Sequence, residues 1–119
     1  QALDDSEFVR EAAAKTELAG DALVDHSNLP ARSAAMALDA IDFIQAHLAD
    51  VKVPFLVMHG TADKATNLEG SVELSEKASS TDKTLKKWEG TYHDLLHEPE
   101  KQQVIDLVTS WVVARLPAK

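Results

Sequence analysis

The sequence predicts an α/β fold built on a parallel sheet, and three observations carry that reading. The stretch VPFLVMHGTAD, from Val53 to Asp63, holds an apolar run between Pro54 and Gly60. Leu56, Val57 and Met58 are too continuous for a half-exposed edge strand and suit a parallel strand covered on both faces. A helical pattern and a second short strand follow, and a strand–helix–strand unit of this length implies parallel pairing through a right-handed crossover. Two parallel strands alone make no stable sheet, and their edges would stand exposed. The pattern therefore reads as the end of a larger doubly wound sheet.

Each element has its own local grounds. Asp4 or Ser6 can cap a first helix running through Glu7, Phe8, Val9 and Ala12 to about Lys15. From Leu18 to Pro30 the pattern breaks at Gly20, Asp21, Asp25, Asn28 and Pro30, with Leu23, Val24 and Leu29 as apolar anchors. A second helix is expected from about Arg32 to Ala49, with Ala34, Leu38, Ile41, Ile44 and Leu48 at helical spacing. Met36, Ala40, Phe43 and His47 give it a second, softer face, so more than one neighbour should cover it. After the strand at 53–59 and a turn at 60–67, a third helix is expected from Leu68 to about Ser79. Thr84 to Trp88 reads as the second strand, ended by Gly90. A last helix opens at Pro99, which suits a first helical turn, carries the stripe Val104, Leu107, Val108, Trp111 and Val112, and stops at Pro117.

Bulk properties narrow the function classes. At 119 residues the chain suits one domain, and its formal charge of -8 argues against a nucleic-acid partner, whose phosphates need clustered Lys and Arg. Lys83, Lys86 and Lys87 form the one basic cluster, read as a solvated strand edge. Without Cys there are no disulfides, thiolate metal sites or thiol nucleophiles. No apolar run approaches the roughly 20 residues of a membrane-spanning helix. His93 and His97 have the spacing of a helical metal pair, but they sit in a loop without an obvious third ligand, so no metal site is assigned.

Each expected strand ends in a turn bearing a titratable residue, Asp63 after the first and His93 after the second. In adjacent parallel strands those ends share one edge of the sheet, where ligands and catalytic groups collect. A carboxylate beside an imidazole is the orienting half of a nucleophilic triad: it holds the His tautomer and stabilises the imidazolium. The order Asp then His along the chain fits the last two members of a Ser, Asp, His sequence. A G-x-S-x-G turn is absent. Ser71 follows Gly70 but opens a helix and lacks the second Gly, while His59, at the strand end, reads as structural.

At these residues a resemblance becomes specific. VPFLVMHGTAD, EKASSTDKTLKKWEG and YHDLLHEPE, in that order, resemble the C-terminal part of monoacylglycerol lipases, in the branch of the α/β-hydrolases that also holds lysophospholipase-like esterases. The HDLLxEPE form looks most like the plant and algal members. The likeness covers about Val53 to Leu116 well and Gln1 to Asp50 more loosely, where DHSNLPAR and the helix after it are similar to the family's cap. It implies the C-terminal portion of a doubly wound α/β-hydrolase sheet, with residues 1–52 as cap and return helix and residues 53–119 as the last two strands and helices of the core. It further implies Asp63 as triad acid, His93 as triad base, and a Ser nucleophile upstream of Gln1. The expected substrate is a fatty-acyl ester of glycerol, received by cap residues such as Leu23, Leu29, Met36 and Phe43. The expected partners are that lipid ester, the N-terminal half that bears the nucleophile, and a membrane surface touched by the cap. The expected location is cytoplasmic or peripheral to a membrane. The chemistry needs no cofactor. Two alternatives stand beside it: a lysophospholipase or other carboxylesterase of the same fold, and a non-catalytic binding module using the apolar cap.

Overall fold

The apolar run after Pro54 and the Thr84–Trp88 segment pair as parallel strands. The computed structural model describes residues 7–25, 27 and 30–117. Its elements are α1 (Ala12–Gly20), α2 (Ala31–Ala46), a 3-10 turn at Leu48–Asp50, β1 (Phe55–Gly60), α3 (Leu68–Lys77), β2 (Lys83–Trp88), a second 3-10 turn at Leu95–His97, and α4 (Lys101–Val113). The register runs from Phe55 opposite Lys83 to Gly60 opposite Trp88. Both strands therefore end level, on one edge of the sheet.

Local signals account for α3. Asn67 caps it, its side chain accepting the Glu69 N–H at 3.0 Å, an interaction worth about 1 kcal/mol. At the other end, Lys83 Nζ donates to the Ala78 carbonyl at 2.6 Å. Lys83 thus closes the helix it follows, while Lys86 and Lys87 remain exposed. α3 packs on both strands. α4 reaches β2 through Trp111, whose ring N–H donates to Thr84 Oγ1 at 3.3 Å, and just outside the two elements Arg115 pairs with Asp82.

Several boundaries depart from the expectation: α1 runs on to Gly20, past the expected end near Lys15, and α2 stops at Ala46, short of Ala49. α1 begins at Ala12, not near Glu7, because residues 8–10 spend their backbone groups on distant partners: the Phe8 carbonyl accepts from Asp94 N–H and Arg10 N–H donates to Glu98. α4 begins at Lys101, not Pro99, since residues 98–100 form a turn in which Lys101 N–H meets the Glu98 carbonyl. It also ends at Val113, short of Pro117. Asp4, Ser6, Asn28 and Leu29 lie outside the described residues.

The core is small. Val9, Ala14, Leu48, Ala78, Trp88 and Val104 are its buried apolar residues. Residues 55–58 of β1 are half-buried, not covered on both faces. α2 makes its main contacts with the 3-10 turn after it, and both its apolar faces are open: Leu38, Ile41 and Ile44 are exposed along with Met36 and Phe43. The radius of gyration is 16.5 Å, against about 13–14 Å for a compact domain of this length. The helices here present open apolar faces.

Gly60 marks where the two strand ends meet. A Cβ placed there would lie 2.3 Å from the backbone carbonyls of both Thr91 and Tyr92. Neither can yield without moving the loop that carries His93. Gly60→Ala should therefore destabilise the fold by about 2 kcal/mol or more, read as a lowered denaturant midpoint. A midpoint unchanged within error would mean the loop does not cross β1 this closely.

Candidate active site

The turn after β1 is shaped to surround one carboxylate. Asp63 Oδ1 accepts the Ala65 N–H at 2.8 Å and the Thr66 N–H at 3.0 Å. Oδ2 accepts the Thr66 hydroxyl at 2.8 Å and lies 2.9 Å from His93 Nδ1. The Asp63 side chain is 3% exposed, so these donors replace solvent almost entirely. Burial acts to raise the Asp63 pKa. Hydrogen bonds from His93, from the Thr66 backbone and hydroxyl, and from the Ala65 backbone outweigh it and hold the group at about 2, below its ordinary 3.8. The carboxyl is thus kept as an anion facing the His93 ring.

The second turn brings the imidazole. Thr91 sits under it, fully buried, its hydroxyl donating to the Trp88 carbonyl at 3.0 Å. Three bonds stitch the strand ends: Thr61 N–H to the Trp88 carbonyl at 2.9 Å, Ala62 N–H to the Thr91 carbonyl at 3.0 Å, and Gly90 N–H to Thr61 Oγ1 at 2.8 Å. Gly90 takes a φ of +70°, which a side chain would strain. His93 presents Nδ1 to Asp63 and leaves Nε2 without a hydrogen-bond partner among the described residues. Its side chain is 36% exposed. Phe8 meets the ring edge-on, 5.2 Å between centroids at 85°.

Asp63 and His93 are thus brought together across thirty positions of sequence. The other expected site residues are not gathered with them. Leu23 is 94% exposed, Met36 62% and Phe43 64%, the last stacked on His47 at 4.1 Å. Leu29 is outside the described residues. Asp94 and His97 pair with each other at 2.8 Å and line a cavity of about 130 Å³ with Val9, Ala14, Glu17, Leu18 and Asp21. Asp94 also caps the 3-10 turn at Leu96 N–H, 3.1 Å away. No group of His, Asp and Glu able to hold a metal occurs among the described residues.

Two site residues escaped sequence reasoning in whole or part. His59, read as structural, is 8% exposed and lies directly behind Asp63, its Nε2 3.1 Å from Oδ2 and 3.3 Å from the Thr66 carbonyl. Its Nδ1 is 2.7 Å from Ser71 Oγ. It props the turn that holds the carboxylate. Thr66 gave no signal, because its value lies in two donors delivered by one turn. The spacing of Asp63 and Thr66, an Asx-type turn, is the local pattern that could have found it.

A sequence profile described as "Serine aminopeptidase, S33" matches residues 1–100. The chain belongs to this family. A monoacylglycerol lipase of Mycolicibacterium smegmatis is 36% identical over 96 residues, 81% of this chain and 34% of that protein. The caffeoylshikimate esterase of Arabidopsis thaliana is 42% identical over 73 residues, 59% of this chain and 22% of that protein. The crystal structure of the Paleococcus ferrophilus monoacylglycerol lipase superposes with a TM-score of 0.88 at 26% identity, covering 94% of this chain and 44% of that one. The fold is that of an α/β-hydrolase, and the chain spans about a third of the length of the lipases it matches by sequence. Among the described residues no helix is long and apolar enough to cross a membrane.

The depressed Asp63 titration has a stability consequence. A carboxylate with a folded pKa near 2 and an unfolded one near 3.8 stabilises the fold fully above the higher value. The contribution fades as pH falls through the lower one, and it amounts to about 2 kcal/mol. The unfolding free-energy gap between the native protein and Asp63→Asn should therefore narrow as pH drops from about 5 to 2. A gap constant across that range would show that the carboxylate is not held charged.

Proposed function

We propose that this chain supplies the acid and base members of a serine ester hydrolase whose Ser nucleophile lies outside it. The observation that supports this is the 2.9 Å bond between Asp63 Oδ2 and His93 Nδ1, with Nε2 without a hydrogen-bond partner among the described residues. In that arrangement His93 Nε2 takes the hydroxyl proton of the Ser as its oxygen attacks the ester carbonyl. The same nitrogen returns the proton to the leaving alcohol, and an acyl-enzyme forms. Nε2 next deprotonates a water that attacks the acyl carbonyl, and the proton passes back to the Ser as the acid leaves. Asp63 fixes the tautomer and stabilises the imidazolium throughout. Residues 1–52 act as cap and return helix, and residues 53–119 as the end of the core.

The substrate in this proposal is a fatty-acyl ester of glycerol, in line with the lipases the chain is similar to. Leu23, Leu29, Met36 and Phe43 receive the acyl chain once the rest of the fold closes over them, and the exposed apolar cap meets the lipid surface. A second reading within the same chemistry, a phenolic or lysophospholipid ester, draws on the plant esterase and on the phospholipase of Bacillus subtilis that is 36% identical over 56 residues. A panel of these esters with the intact protein separates the readings.

In the intact protein, His93→Ala should lower turnover of a short-chain ester by about 10³-fold or more. Retention of most activity would sink the assignment. Ser71 touches His59 and not His93, so Ser71→Ala should leave labelling by a fluorophosphonate intact. Label found on Ser71 would place the nucleophile inside this chain, and an intact protein that takes no label would favour the binding module.

A further inference from the structure

Glu98 is fully buried, yet it takes no part in the mechanism above. A carboxylate without solvent costs several kcal/mol unless donors surround it, and an apolar side chain would fill the same space more cheaply. Its donors are specific. Oε1 accepts Arg10 N–H at 3.0 Å and faces Tyr92 N–H at 3.4 Å. Oε2 pairs with Arg10 Nε, and the same guanidinium reaches Glu100. One carboxylate thus ties residue 10 to residue 92, across more than eighty positions.

Those two anchors bracket His93. Tyr92 precedes it and is held by Glu98. Asp94 follows it, and its N–H donates to the Phe8 carbonyl at 2.9 Å. Phe8 lies two residues before Arg10, with Val9 buried between them. The segment that Glu98 grips through Arg10 is therefore the one whose Phe8 ring stands edge-on against the His93 imidazole. Asp63 restrains the ring at Nδ1, and Phe8 restrains it from the side.

We infer that Glu98 and Arg10 form a clasp that positions the His93 imidazole through Phe8. The clasp makes Glu98, Arg10 and Phe8 positioning residues. None of them touches substrate, and each acts by keeping His93 Nδ1 in line with Asp63. This rests on the reading of His93 as the base.

The test uses the intact protein, with kcat and KM for a short-chain ester and the Nδ1–H proton resonance of His93 as separate readouts. Misplacing a catalytic group by about an ångström costs up to about 100-fold, so Glu98→Gln and Phe8→Leu should each lower kcat about 10- to 100-fold with KM within about twofold. Phe8→Tyr, which keeps the ring, should restore the native rate. The double variant should be no slower than the slower single one, because both act on one imidazole. The Nδ1–H resonance should broaden or vanish in both single variants. Should Glu98→Gln fail to fold, Phe8→Leu and Phe8→Tyr decide alone. Native kcat in Phe8→Leu, a KM rise at constant kcat, or losses that simply multiply in the double variant would overturn the clasp. If His93→Ala proves active, the base assignment fails, and the resonance still decides the positioning: a signal unchanged in Glu98→Gln ends it.

Discussion

At 3% exposure the Asp63 side chain keeps its charge only because protein donors stand where water would. That requirement shapes the end of β1. The turn must aim the Ala65 and Thr66 N–H groups inward and bring the Thr66 hydroxyl round to the second oxygen, while His59 closes the back. One position on the carboxylate remains for the His93 ring. Its occupancy completes the solvation of the anion and fixes the imidazole at once, so the stability of the turn and the orientation of the imidazole are one interaction.

Parallel pairing makes the meeting possible. Because Gly60 lies opposite Trp88, the two strands finish level and their turns emerge side by side. Level ends alone leave the loops free to splay. Gly60 allows the Thr91–Tyr92 backbone to cross β1 at close range, and the bonds from Ala62 and Gly90 fasten the loops to each other. Glu98 adds a long-range tie from the opposite side, drawing residues 8–10 over the His93 loop. The site is consequently held where hydrogen bonds from distant segments converge, while the His93 side chain stays 36% exposed.

Much apolar surface stands apart from this order. Both faces of α2 and the outer side of α4, with Ile105, Val112 and Val113, remain exposed. Scattered exposed apolar residues are normal in soluble proteins, but whole helical faces seldom are. The relatives are about three times longer than the matched segment, and a two-stranded sheet is too small to be stable without neighbours. The open faces and the local precision of the site fit together if the Asp–His end of the sheet forms from its own loops while the helices complete their packing against the rest of the α/β fold.

Sequence alone determined the strand–helix–strand unit, its parallel sense and the placing of Asp63 and His93 on one edge. These follow from hydrophobic periodicity and from connection rules that act within about thirty residues. It did not disclose Arg10, Glu98 or Phe8, nor the late start of α1, because those depend on partners eighty or more positions away. Residues 7–11 have a helical pattern, and the tertiary bonds of Phe8 and Arg10 override it. His59 and Thr66 lie between these extremes. Their positions beside Asp63 were visible, but only the folded turn decided that their polar groups face the carboxylate. Spacing can bring two chemical groups to the same edge of a sheet; which atoms meet there is settled by three-dimensional packing, since a buried charge selects the donors that can reach it.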